Sequence, residues 1–447
     1  MTSRQLPTLR RPAAALGSLA LAISGTFAVS GTVTSPAVAA QEAPAAEQVT
    51  FTKWDFAHNN PGGTYDGTRR VTGDKPHALR LWHPTDTRSY TDPFADAPAA
   101  RTYDEGTWVS PEVPTPFGLD ELVSSWNAHT PGGSWVEVSV QGTAENGTTS
   151  SWYVLGRWAD DDNAFHPTSV PGQRDELARV SIDTLVTRND HRFDDYRIKV
   201  ALMRPTGTTV SPSVSMVGAM ASYVPSGPAV APPTTMTRDT VLDVPTYSQE
   251  LHRGDFPEYD NGGEAWCSPT STSMVVAYWG KSPEAQDYAY VTDRYGAEHT
   301  DPWVDYAARH TFDYNYDGAG NWPFNTAYAA RLGLEGFVTR LHDLNEAEQF
   351  IKAGIPLVAS VSFKKDELDG AGYSTGGHLM TIVGFTKEGD VVVNDPASHL
   401  IPSDDQVRVT YDRQQFTNAW IGHTGGIVYV IHPRDVRLPR PNQAANW

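Results

Sequence analysis

Residues 264–280 read Glu264-Ala265-Trp266-Cys267-Ser268-Pro269-Thr270-Ser271-Thr272-Ser273-Met274-Val275-Val276-Ala277-Tyr278-Trp279-Gly280. Ser268 fits an N-cap and Pro269 the first helical position, where its missing N–H does no harm, so the stretch predicts a helix over 269–279. Cys267 then stands at the mouth of that helix. The partial positive charge there favours thiolate over thiol, and the free backbone N–H groups can face a developing oxyanion. It is the one cysteine in 447 residues. A lone thiol is either a nucleophile or a small buried apolar side chain, and its place at the helix mouth favours the first.

A thiolate nucleophile needs a base. Among fourteen histidines, His378 is the candidate because it follows Gly376-Gly377 at the entry of the apolar run Leu379-Met380-Thr381-Ile382-Val383-Gly384. Glycines at that point allow close approach of a facing helix and of substrate. The next strand, Val391-Val392-Val393, ends in Asn394-Asp395-Pro396. If the Lys387-Glu388-Gly389 turn makes these two strands a hairpin, the Asn-Asp end returns to the level of His378. A carboxylate or amide there accepts the imidazole N–H and fixes its tautomer. Asp395 is the choice and Asn394 the alternative.

Outward from this core the pattern is helices first and strands later. Helices are predicted over 303–310, 323–332 and 344–353, the last ended by Gly354, and strands over 356–363, 378–385, 390–394 and 427–431. Residues 241–434 therefore read as an α+β domain whose leading helix lies on an antiparallel sheet, the last strand closing it. Residues 49–224 read as all-β: Val136, Val138 and Val140 alternate with Glu137 and Ser139, and similar runs recur between Pro, Gly, Asn and Asp clusters, which argues a β-sandwich of jelly-roll type. Pro225 to Thr240 is rich in Pro and Thr, the composition of a semi-rigid linker, and residues 435–447 form a tail. Residues 1–40 read as a signal peptide, with Arg4, Arg10 and Arg11, an apolar stretch from Ala13 to Val29 and small residues at 37–40. Pro12 and Ala13 after the arginine pair fit general secretion better than twin-arginine export. No later apolar run approaches the roughly 20 residues that cross a bilayer.

Without that leader the chain has 31 Lys and Arg against 53 Asp and Glu, a formal charge near −22. That sign repels phosphate backbones, so nucleic acid is not an expected partner. With no HExxH, paired CxxC or Gly-rich phosphate loop, zinc and nucleotide chemistry have no support in the sequence. Asp313, Asn315 and Asp317, followed by Gly318, match the start of a calcium loop, but the twelfth position is Phe324, which has no carboxylate; an Asp/Asn-rich turn before a helix is the alternative. No cofactor is required by the expected chemistry.

Together these motifs resemble the exported papain-like cysteine peptidases of the peptidase C39-like family. The resemblance spans Val244 to about Pro433. It rests on Val244-Pro245-Thr246-Tyr247-Ser248-Gln249, Trp266-Cys267 through Tyr278-Trp279-Gly280, Gly377-His378 and Asn394-Asp395-Pro396. It implies a triad of Cys267, His378 and Asp395 and an oxyanion role for Gln249, although residues 250–266 separate Gln249 from the cysteine by more than that family usually allows. Trp266, Trp322 and Asn325 are candidates to line the substrate cleft. The expected function is thiol-dependent hydrolysis of peptide or isopeptide bonds outside the cell. Acyl transfer of transglutaminase type, or an inert module that binds wall polymer, are the alternatives. Trp82, Trp108, Trp126, Trp135, Trp152 and Trp158 of the first domain offer either sugar-stacking surfaces or core packing.

Overall fold

The computed structural model describes residues 48–73, 77–224, 228–441 and 445–447; the signal peptide read at 1–40 lies outside them. Among the described residues no helix is long and apolar enough to cross a membrane. The all-β and α+β halves follow one another in chain order, as the sequence predicts.

The first half is two seven-stranded antiparallel sheets. One is centred on Glu121–His129 and Ser213–Tyr223, the other on Trp135–Ala144 and Phe193–Pro205. Val136, Val138 and Val140 point into a core that both sheets share with Trp108, Trp126 and Trp158. The opposite face of that strand is covered as well: Glu137 is buried, accepting from Arg88 and Arg157 at 2.8 and 2.7 Å. Trp135 is also fully buried. Trp82 is exposed, but the Arg69 guanidinium lies over its ring. Four of the six tryptophans are therefore core, because an indole gains most by removing its large apolar area from water.

In the second half the sheet order is Glu335–Arg340, Ile427–His432, Leu357–Phe363, Thr375–Phe385, Val391–Asn394, Arg408–Tyr411, with Thr240–Val241 also on Thr375–Phe385. Helix α1 (Cys267–Tyr278) lies on one face. Val275 and Val276 pack with Val358, Leu379, Ile427 and Tyr429. The other face takes the helix Leu344–Lys352, whose Leu344, Ala347, Phe350 and Ile351 pack with Leu357, Ala359, Val361, Met380 and Ile382. Val358 against Leu357 and Ala359 shows the period of two that splits one strand between two layers.

Ile427–His432 is interior, so it does not close the sheet; the edge is Glu335–Arg340, every residue of which is buried. An edge strand presents unpaired backbone groups that need cover. The first half supplies it: Asn127 donates to Gly336 O at 2.7 Å, and Ser125 Oγ accepts from Val338 N at 2.8 Å. Phe324 and Ala327, from the helix Trp322–Arg331, complete the first half's own core. The Pro/Thr-rich segment is strapped down: Thr234 and Thr235 hold Glu348, and Met236 is buried. The C-terminal residues are docked too. Ala445 O accepts from Phe51 N at 2.8 Å, Asn446 is buried, and Trp447 packs on Phe350.

Candidate active site

Helix α1 begins at Cys267 itself, with Trp266 as N-cap. Ser268 does not cap; its hydroxyl meets the Tyr429 hydroxyl at 2.9 Å inside the core. Cys267 is thus the first helical residue, and its own N–H and that of Ser268 fall among the first-turn donors that no helix can satisfy internally. The far end of α1 is fixed by the Tyr-Trp-Gly stretch. Tyr278 donates to Gly354 O at 3.0 Å, Trp279 Nε1 to Ile431 O at 2.9 Å, and Gly280 turns the chain at a φ of 64°. Midway, Ser271 Oγ donates to Leu379 O at 3.0 Å. One turn before that bond brings Cys267 to the start of the strand carrying His378. Cys267 is partly exposed, and His378 is buried.

The hairpin forms, pairing Thr381 with Asn394, and Asp395 follows at the level of His378. His378 Nε2 meets Asp395 Oδ1 at 2.8 Å, which leaves Nδ1 as the other ring nitrogen. Asp395 is fully buried yet well supplied: Tyr373 Oη donates to its two oxygens at 3.0 and 2.9 Å, Tyr411 Oη to Oδ2 at 2.8 Å, and Ala397 N to Oδ1 at 3.0 Å. Burial alone would raise the carboxyl pKa; His378, Tyr411 and Tyr373 outweigh it and hold it below the usual carboxylate range. Burial likewise works against a charged imidazole. Cys267 and Asp395 overcome that and push His378 up to about 10. The Tyr373 ring stands edge-on to the imidazole with centroids 5.6 Å apart. An added Cβ at Gly376 or Gly377 would meet nothing. These glycines leave the approach to His378 open.

Asn394 has a separate task. Its amide donates to Val244 O and Pro245 O at 3.3 and 2.9 Å, and its oxygen accepts from Arg408 at 3.0 Å, so it ties down the segment leading to Gln249. Pro396 O then accepts from Gln249 N at 3.0 Å. Residues 250–266 loop out and return, so that Gln249 Nε2 reaches Glu264 O at 2.8 Å, three residues before the cysteine. Its Oε1 is buried without a hydrogen-bond partner among the described residues.

Other expectations need correction. Trp266 is completely buried, with its Nε1 donating to Tyr259 O at 2.7 Å, so it is a wall of the core behind the cysteine and not a cleft residue. Asn325 is buried too; it joins Thr272 of α1 to Ala319 O and Asn321 O. Trp322 is partly exposed and packs in the same cluster as Cys267, with its N–H on Asp183 Oδ2 at 2.8 Å. Asp183, buried at the tip of a first-half hairpin, is pushed up to about 6 by desolvation. Asp313 is filled by protein donors: Ser169 N and Oγ, Asn315 N and Tyr316 N on one oxygen, Asn321 Nδ2 on the other. Asn315 Nδ2 turns to Ser169 Oγ at 3.1 Å, and Asp317 takes a left-handed φ of 57°. The stretch is an Asp-centred turn whose hydrogen bonds stitch the halves together.

Residues 241–427 match the Peptidase_C39 like family, and residues 50–222 match the Peptidase C39 N-terminal domain. A solved structure described as that of a C39-like peptidase from Bacillus anthracis is 17% identical, with a TM-score of 0.27 over 45% of this chain and 100% of its own. No curated protein matches the chain. Sequence reasoning missed two residues that hold Asp395, Tyr373 and Tyr411. Both are tyrosines in otherwise ordinary loop and strand contexts, and nothing local marks them as partners of Asp395.

Proposed function

We propose that the chain is an exported cysteine peptidase that hydrolyses peptide or isopeptide bonds through an acyl-enzyme on Cys267. The observation that carries this reading is the buried His378, linked to Asp395 through Nε2 and to Cys267 electrostatically, at the N-terminus of α1. The Cys267 sulfur attacks the carbonyl carbon, and the oxyanion is met by the N–H groups at the start of α1 and by the Gln249 amide hydrogen that Glu264 leaves free. His378 gives its proton to the departing amine, leaving a thioester. Water then attacks that thioester, losing its proton to His378, and the acid and the free thiol are released. Asp395 holds the ring orientation throughout and is itself held by Tyr373 and Tyr411.

Export is supported by the basic start and apolar stretch of residues 1–40. The test is turnover of a fluorogenic peptide library and of wall-peptide fragments by the purified chain. Cys267→Ala and His378→Ala should each lose on the order of 10⁴-fold or more. Product formed equally well by both variants would overturn the reading. The same assay with an added primary amine separates hydrolysis from acyl transfer: hydrolysis gives free acid as the product.

A further inference from the structure

Four side chains outside the triad converge in the loop that joins Gln249 to Cys267. They are His252 and Asp255 of that loop, His299, and Asp305 of the helix Pro302–Thr311, and their donor atoms all lie within 4.8 Å of one another. His252 Nδ1 is 3.0 Å from Asp305 Oδ2 and 3.7 Å from Asp255 Oδ2; His299 Nε2 is 3.0 and 3.5 Å from the same two oxygens. Zinc bonds of roughly 2.0–2.2 Å at tetrahedral angles hold donor atoms about 3.3–3.6 Å apart; four of the six edges here run from 3.0 to 3.7 Å, and the other two lie within 4.8 Å. His252 is completely buried and, among the described residues, neither of its ring nitrogens has a well-aligned hydrogen-bond partner, nor do Asp255 Oδ2 and Asp305 Oδ1. The short His252–Asp305 contact is thus out of line for a hydrogen bond. His299 Nε2 and Asp305 Oδ2 do form a hydrogen bond at 3.0 Å, so the mismatch is centred on His252. Buried donors and acceptors held in poorly aligned contacts are costly, and a cation between them lowers that cost.

We propose that His252, Asp255, His299 and Asp305 bind one divalent transition-metal ion, zinc by this donor set. Two imidazoles and two carboxylates make a closed, neutral, four-coordinate site, the arrangement of a structural ion with no position left for substrate. It pins the 250–266 loop to the helix Pro302–Thr311. His252 is three residues from Gln249 on one 3-10 turn, and its ring is 6.2 Å from that of Trp266, the neighbour of Cys267. The ion therefore fixes the inserted loop between its two functional ends. The four residues are spaced 3, 44 and 6 apart, which matches no familiar zinc motif, so the sequence gives no warning of them.

The site stands independently of catalysis at Cys267, and the test is built accordingly. Full-length Cys267→Ala protein, in which the thiol cannot hold metal, is stripped with chelator, equilibrated with zinc sulfate, desalted and measured by elemental mass spectrometry and thermal melting. The expected result is one zinc per chain and a higher Tm with zinc than without. His299→Ala and Asp255→Asn, at the less buried corner, should each lose the zinc and the shift while still melting cooperatively. A folded Cys267→Ala protein that retains no zinc and shows no shift would overturn the proposal. So would zinc retention unchanged in both ligand variants.

Discussion

Asp395 illustrates how much a single residue depends on its neighbours. A buried carboxylate is stable as an anion only if donors replace its water, and here two tyrosines, one amide and the histidine do so. Removing the Tyr411 hydroxyl by Tyr411→Phe should cost about 1.5–3 kcal/mol of stability, measured by urea unfolding, since the lost bond is to a charged group. For activity, a raised imidazole pKa means that His378 stays protonated above an ordinary histidine's range and loses its proton as pH climbs toward about 10. The alkaline limb of the pH–rate profile should lie correspondingly high. Asp395→Asn removes one cause of the rise, so that limb should move to lower pH, with a loss of roughly 10²- to 10⁴-fold at neutral pH. The three triad candidates were legible because each lies in a short local motif: a proline-marked helix start, a glycine-led strand, a strand-ending Asn-Asp-Pro. Burial was not legible. Trp266 and Asn325 have the residue types of a cleft, and only the packing shows that neither reaches it.

At the scale of elements, the helices and strands around the site followed from periodicity, whereas the edge strand Glu335–Arg340 did not. Its sequence, Glu-Gly-Phe-Val-Thr-Arg, lacks the polar alternation of a surface edge because side chains from the first half cover it. Asn394 makes the complementary point. Its strand position was read correctly, and its partners, Val244 and Pro245, lie some 150 residues away in sequence. Asn394→Ala should therefore lower stability by about 1–3 kcal/mol in chemical unfolding, with a smaller effect on the turnover of the folded fraction than Asp395→Asn has.

For the whole molecule, the two halves share more than a linker. Phe324 completes the first half's core, Arg340 pairs with Glu121, Lys53 pairs with Glu335, and Arg309 binds Asp162. The composition boundary near residue 225 marks a change of fold class and says nothing about cooperativity, which depends on contacts between residues far apart in sequence. Calorimetry should give one unfolding transition for the full chain. Phe324→Ala should lower the stability of the whole by about 3–5 kcal/mol, and residues 228–447 expressed alone should aggregate, with the edge strand and Phe324 uncovered. Two separated transitions would show that the halves fold independently.

The most direct test of the central claim is the rate at which iodoacetamide alkylates Cys267 at pH 7, followed by mass spectrometry in the native chain, in His378→Ala, and in both proteins unfolded in urea. The account predicts that native Cys267 reacts faster than the unfolded thiol, and that His378→Ala loses this advantage while its unfolded form reacts like the wild type. Native rates that are equal in the two proteins would contradict it, because the imidazole would then be doing nothing for the sulfur.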